Sequence, residues 1–69
     1  MKIEILNFVN SNTDRSTMDT LSTKEIAVAF NIPTNKAYSI LKSLSDSKQI
    51  TYMEPQNRNN LGCADWVKN

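Results

Sequence analysis

The chain has no histidine, a single cysteine (Cys63), a single glycine (Gly62) and two prolines among its 69 residues. Without histidine it lacks the side chain whose ordinary pKa suits acid–base work near neutral pH. One cysteine forms no internal disulfide, and with no histidine beside it there is no Cys/His set to hold zinc. One glycine leaves no Gly-rich loop to cradle phosphates. The seven carboxylates are scattered, and no nucleophile stands beside an activating partner. These absences predict a protein that is not an enzyme and has no metal, cofactor or small-molecule substrate. Long apolar runs are also missing. Glu4 and Asn7 interrupt the opening segment Met1 to Val9, which is too short and too polar for a signal peptide or a membrane span. A lone thiol suits a reducing compartment, so the expected setting is the cytoplasm, away from membranes.

What is present is enough for one small core. An apolar fraction of 39% suits a globular chain, and 69 residues predict a single domain, 1–69. A chain this short buries only about 60% of its unfolded surface, so its stability is marginal. Net charge is +1 overall, with −1 in residues 1–30 and +2 in residues 31–69. The basic surplus sits in the second half.

Apolar residues Ile3, Ile5, Leu6, Phe8 and Val9 recur at three- and four-residue steps, predicting a first helix over about 2–10. Residues 10–20, rich in Ser, Thr, Asn and Asp, read as a loop. Ser22 followed by Glu25 is a capping-box pattern that starts a second helix carrying Ile26, Ala27 and Phe30 inward. Asn31 is placed to end it in the left-handed conformation, with Pro33 just beyond. A third helix is expected from Thr34 as N-cap to about residue 46, with Ala37, Ile40, Leu41 and Leu44 on its inner face. Gln49 to Glu54 reads as a strand, 55–62 as a turn segment, and Cys63 to Lys68 as a strand pairing back, with Trp66 closing the core. A short strand near Thr20–Ser22 would add a third rung. The expected fold is mainly α with a small β-hairpin: three helices followed by a wing, in the order of a winged helix.

Residues 25–44, EIAVAFNIPTNKAYSILKSL, resemble the helix-turn-helix of DNA-binding regulators. Ala27 allows close helix approach, Asn31 takes the Gly-like turn position, and Ile32 plugs the core. If the third helix buries its aliphatic face, helical geometry turns Asn35, Lys36, Tyr38, Ser39, Lys42 and Ser43 outward. Such a set suits a major groove. Asn pairs in bidentate fashion with adenine, Lys reaches guanine or phosphate, and Ser and Tyr donate to either. A solvated helix face needs no function, and that is the competing reading of these residues. In the turn segment, Arg58 among Gln56, Asn57, Asn59 and Asn60 is the candidate contact to a phosphate backbone or minor groove; an ordinary hairpin turn is the alternative. Trp66 is read as core rather than as a stacking platform.

The whole chain resembles the small regulators of fimbrial (pilus) operons, the FaeA/PapI-like family. The similarity lies in residues 1–9 (MKIEILNFV), in 22–27 (STKEIA), in Asn35-Lys36-Ala37 onward, and in Gly62 followed by Trp66. The resemblance implies a winged helix-turn-helix that binds double-stranded DNA and regulates transcription. It also implies action beside a larger DNA-bound partner, the leucine-responsive regulatory protein. The chain departs from the family at Tyr38 and at Asn59 and Asn60, where members tend to carry Arg. Fewer cations mean weaker, salt-sensitive binding. Low net charge favours an alternative, a winged-helix module that binds protein without touching DNA, with Val28 and Ala29 as contact points. Recognition of left-handed duplexes is a weaker third reading, since no proline directly precedes Trp66.

Overall fold

Three short helices and a small sheet share one core because each helix contributes only two or three fully buried side chains. The computed structural model describes residues 1–53 and 64–69. The elements are α1 (Lys2–Asn12), β1 (Leu21–Ser22), α2 (Thr23–Phe30), α3 (Thr34–Asp46), β2 (Ile50–Met53) and β3 (Asp65–Lys68). From α1 come Ile5 and Val9, from α2 Ile26 and Ala27, and from α3 Ala37, Leu41 and Leu44, all buried. Ile3 stands apart at 70% exposure. Two residues before Ile5, it lies roughly 200° around the helix from it, so the expected inclusion of Ile3 in the inner stripe is corrected. The N-terminal helix also runs two residues beyond the expected end, where the Thr13 hydroxyl donates to the Val9 carbonyl at 2.7 Å.

The start of α2 follows the sequence pattern, with Ser22 Oγ accepting from the Glu25 N–H at 3.1 Å. Its end does as well. Asn31 sits at φ 55°, ψ 49°, its N–H donates to the Val28 carbonyl and that of Ile32 to Ala27. This is the paired hydrogen-bond pattern of a Schellman cap. The start of α3 differs from expectation. Pro33 occupies the cap with extended backbone and makes no side-chain cap bond, while Thr34 is already helical. The Ala37 N–H closes the first turn on the Pro33 carbonyl at 3.0 Å. A second Schellman pattern ends α3, with Lys48 at φ 62°, Lys48 N–H on Ser45 and Gln49 N–H on Leu44. This reversal delivers Ile50 to the core at 2% exposure.

The strands form one antiparallel sheet in the order β1-β3-β2. The expected hairpin is β2, at one edge, paired with the central β3, and the third rung expected near Thr20–Ser22 is the two-residue β1 at the other edge, so the architecture is mixed α/β. The register pairs Leu21 with Trp66, and Tyr52 with Trp66 on the other side. Trp66 is fully buried, as its reading as core requires. Its indole N–H donates to Thr23 Oγ1 at 2.8 Å, and that hydroxyl donates to the Ala64 carbonyl at 3.1 Å. The same carbonyl accepts the Thr23 N–H at 2.9 Å. Residues 54–63, including the turn segment 55–62 and Cys63, lie outside the described residues.

Thr23→Val keeps the shape of the side chain but strands the buried indole N–H. Such an orphan costs about 1–3 kcal/mol. For a domain of this size each kcal/mol lowers Tm by about 4–8 °C, and thermal denaturation followed by circular dichroism should show the drop.

Candidate functional site

The outer face of α3 is the surface where polar side chains gather. With Ala37, Leu41 and Leu44 buried, the 100° step of the helix leaves Asn35, Lys36, Ser39 and Ser43 exposed. Asn35 turns part of its amide back on the helix, its Oδ1 accepting from the Lys36 N–H at 2.9 Å, and the amide NH₂ is the group left to reach outward. Lys36 and Ser39 project from the first two turns of α3.

Tyr38 and Lys42 behave differently from expectation. Tyr38 is half-buried and packed against the core, so its expected outward projection is corrected. Its ring meets Trp66 edge-on at 5.8 Å and Tyr52 at 6.4 Å, while Tyr52 and Trp66 lie 4.9 Å apart as a directly opposed cross-strand pair. A tyrosine one helical step from Ala37 lies at the edge of the buried face, and two aromatic rings on the sheet give it somewhere to pack. Lys42, with its side chain 45% exposed, leans the same way. Its Nζ is 4.0 Å from the Asp46 carboxylate and 4.8 Å from the centre of the Tyr52 ring. A cation over a ring at a surface contributes about 0.5–1 kcal/mol, and an exposed ion pair about as little. These contacts orient the ammonium without sequestering it. Beside it, an open cleft of about 490 Å³ runs between the end of α3 and β2, lined by residues that include Lys42, Asp46, Lys48 and Tyr52.

One cation escaped the sequence reading. Lys2, on the first turn of α1, donates from Nζ to Ser43 Oγ at 3.0 Å. Nothing local to Lys2 signals this, because the two residues are 41 positions apart and meet only through the packing of α1 on α3. Arg58 lies outside the described residues. The six candidate residues thus divide into three on the open face of α3 (Asn35, Lys36, Ser39), one at its rim (Lys42), one folded against the sheet (Tyr38), and Arg58.

Among the described carboxylates, only Asp46 belongs to α3, where it pairs with Lys42. The Met1 α-ammonium, 3.0 Å from Glu4, holds the Glu4 carboxyl below its ordinary range by hydrogen bond and charge. Asp14 is lowered by the Ser16 hydroxyl and N–H. Asp65, on the central strand, is raised by partial burial and by the negative charge of Glu25. Among the described residues, no three His, Cys, Asp or Glu side chains cluster as metal ligands, and no helix is long and apolar enough to cross a membrane. Comparison with known proteins returned no matching family model, curated protein or solved structure.

Two outcomes follow from this geometry. Tyr38→Ala removes two ring contacts and part of the cover over Trp66. Aromatic pairs are worth about 0.5–1.5 kcal/mol each beyond the area they bury, so the loss should be about 2 kcal/mol or more. Asn35→Ala on the open face should stay within about 0.5 kcal/mol of the parent, and urea denaturation separates the two. For Asp65 the raised folded-state pKa means that the folded protein holds its proton more tightly than the unfolded chain, so stability falls as pH rises through that window. Asp65→Asn should therefore melt higher than the parent at neutral pH. The gain should vanish once the pH drops below the ordinary aspartate range, as paired melts across pH will show.

Proposed function

We propose that the protein is a winged helix-turn-helix regulator of transcription that docks α3 in the major groove of double-stranded DNA. The observation that carries this reading is the exposure of Asn35, Lys36 and Ser39 together on a helix whose opposite face is fully buried. Residues at the N-terminal end of a recognition helix are the ones that contact base edges. An Asn amide fits adenine, a Lys ammonium fits guanine or phosphate, and a Ser hydroxyl serves either. The order of helices and strands, and the Asn-capped turn between α2 and α3, are compatible with a winged helix. In this reading the segment 55–62 is the wing, and Arg58 meets the phosphate backbone. The resemblance to fimbrial-operon regulators extends the proposal to a cytoplasmic regulator that binds weakly alone and acts beside the leucine-responsive regulatory protein. No catalytic role belongs to it.

A second reading has its own support. Val28 is 72% exposed and Ala29 beside it is exposed, an apolar step on the outside of α2 that suits a protein partner. The two readings part in one experiment. Duplexes selected from a random pool are titrated at low salt, and affinity is then followed as salt rises. With three or four phosphate contacts, log affinity should fall against log salt with a slope of about −3. The Lys36→Ala, Lys42→Ala double variant should bind at least about tenfold more weakly, a loss of about 1.4 kcal/mol. Parent-like affinity in that variant would falsify the docking of α3. Absence of any salt-dependent duplex binding, with a protein retained through Val28, would establish the second reading.

A further inference from the structure

The geometry points to Lys2, at the start of α1, as a phosphate-binding residue that extends the α3 surface onto a second helix. The inference rests on the DNA-binding reading above and goes beyond it, since it brings into the interface an element that the helix-turn-helix segment does not contain. Lys36 and Ser43 lie seven residues apart on α3, two full turns, and so share a face. Their separation along the axis is about 10 Å at 1.5 Å per residue, close to the width of a major groove, about 12 Å. Lys2 Nζ, 3.0 Å from Ser43 Oγ, closes the far end of that row, so the outer face of α3 carries an ammonium group at both ends.

The two cations differ in how they are held. Lys36 projects from the first turn of α3, the end that reaches base edges in this docking. Lys2 belongs to a neighbouring helix and lies level with the last turns of α3, where a duplex presents the sugar–phosphate wall of the groove. A hydroxyl holds it in place, and among the described residues it forms no ion pair: Glu4, the acidic residue in the first turn of α1, is engaged by the Met1 α-ammonium, and Asp46, one turn past Ser43, by Lys42. The Lys ammonium keeps two further N–H donors for a phosphodiester oxygen. A contact of this kind adds affinity equally on every sequence and carries no base information.

The test compares salt dependence across four proteins on the selected duplex and on an unrelated duplex of equal length: the parent, Lys2→Gln, Lys2→Arg and Arg15→Gln. Lys2 is exposed, and melting curves establish that each variant is folded. Arg15 lies in the turn between α1 and β1 and provides an equal loss of charge away from α3. Removing one phosphate contact flattens the slope of log affinity against log salt by about 0.9, so between 50 and 200 mM salt the Lys2→Gln variant should lose about threefold less affinity than the parent. The change should be the same on both duplexes, Lys2→Arg should restore the parent slope, and Arg15→Gln should leave it unaltered. A parent-like slope in Lys2→Gln, while the Lys36→Ala, Lys42→Ala double variant binds weakly, overturns the role of Lys2 and leaves the docking of α3 standing. Equal flattening by Arg15→Gln overturns it as well, because the effect is then one of bulk charge. A parent protein that binds neither duplex overturns both proposals together.

Discussion

A buried hydrogen-bond chain runs from the Trp66 indole through Thr23 to the Ala64 carbonyl, and the arrangement of the candidate surface on α3 depends on it. Thr23 is the first residue of α2, and its N–H and hydroxyl both bond the backbone just ahead of β3. The link therefore anchors the entry of the second helix to the central strand of the sheet. An indole N–H left unpaired in a core is costly, so the arrangement tolerates little displacement. With α2 anchored, the Asn31 turn sets the direction of α3. With Trp66 seated, the Tyr52 and Tyr38 rings have a surface to pack on.

That aromatic cluster decides which polar groups of α3 are free. Tyr38 is drawn onto the sheet, and the Lys42 stem follows it to lie over Tyr52. Asn35, Lys36 and Ser39, on the side turned away from the sheet, stay exposed. The open face is thus narrower than a helical-wheel division of α3 implies, and on α3 its positive charge comes from Lys36, with Lys42 at the rim. Lys2 adds a charge from α1, available only because the short N-terminal helix packs against α3 and begins beside Ser43. In so small a domain three helices share one core, and the termini of one become the flanks of another.

The elements legible in the sequence are those whose signals are local. The Ser22–Glu25 cap, the Asn31 stop, the buried stripe of α3 and the alternation around Tyr52 each rest on interactions within about four residues, where helical and strand periodicity act directly on residue choice. Where a local signal is ambiguous, tertiary context fixes the outcome. Thr34 is a good cap by type, yet the extended backbone of Pro33 places it one step inside the helix. The left-handed Lys48 went unmarked, since lysine carries no preference for that conformation. It is held there because Leu44 and Ser45 accept the two closing hydrogen bonds and Ile50 must reach the core.

By itself, then, the order of residues determined the number and kind of elements, the inward faces of the helices and the core role of Trp66. Hydrophobic spacing and backbone capping are properties of neighbouring positions, and they survive in one dimension. Only the tertiary structure decided that Tyr38 and Lys42 lean onto the sheet and that Lys2 meets Ser43 on the face of α3. Each of these joins residues 14 or more positions apart, or depends on such a contact. Their energies arise from surfaces that do not exist until the helices and strands have packed, and no pattern along the chain encodes which surfaces will meet.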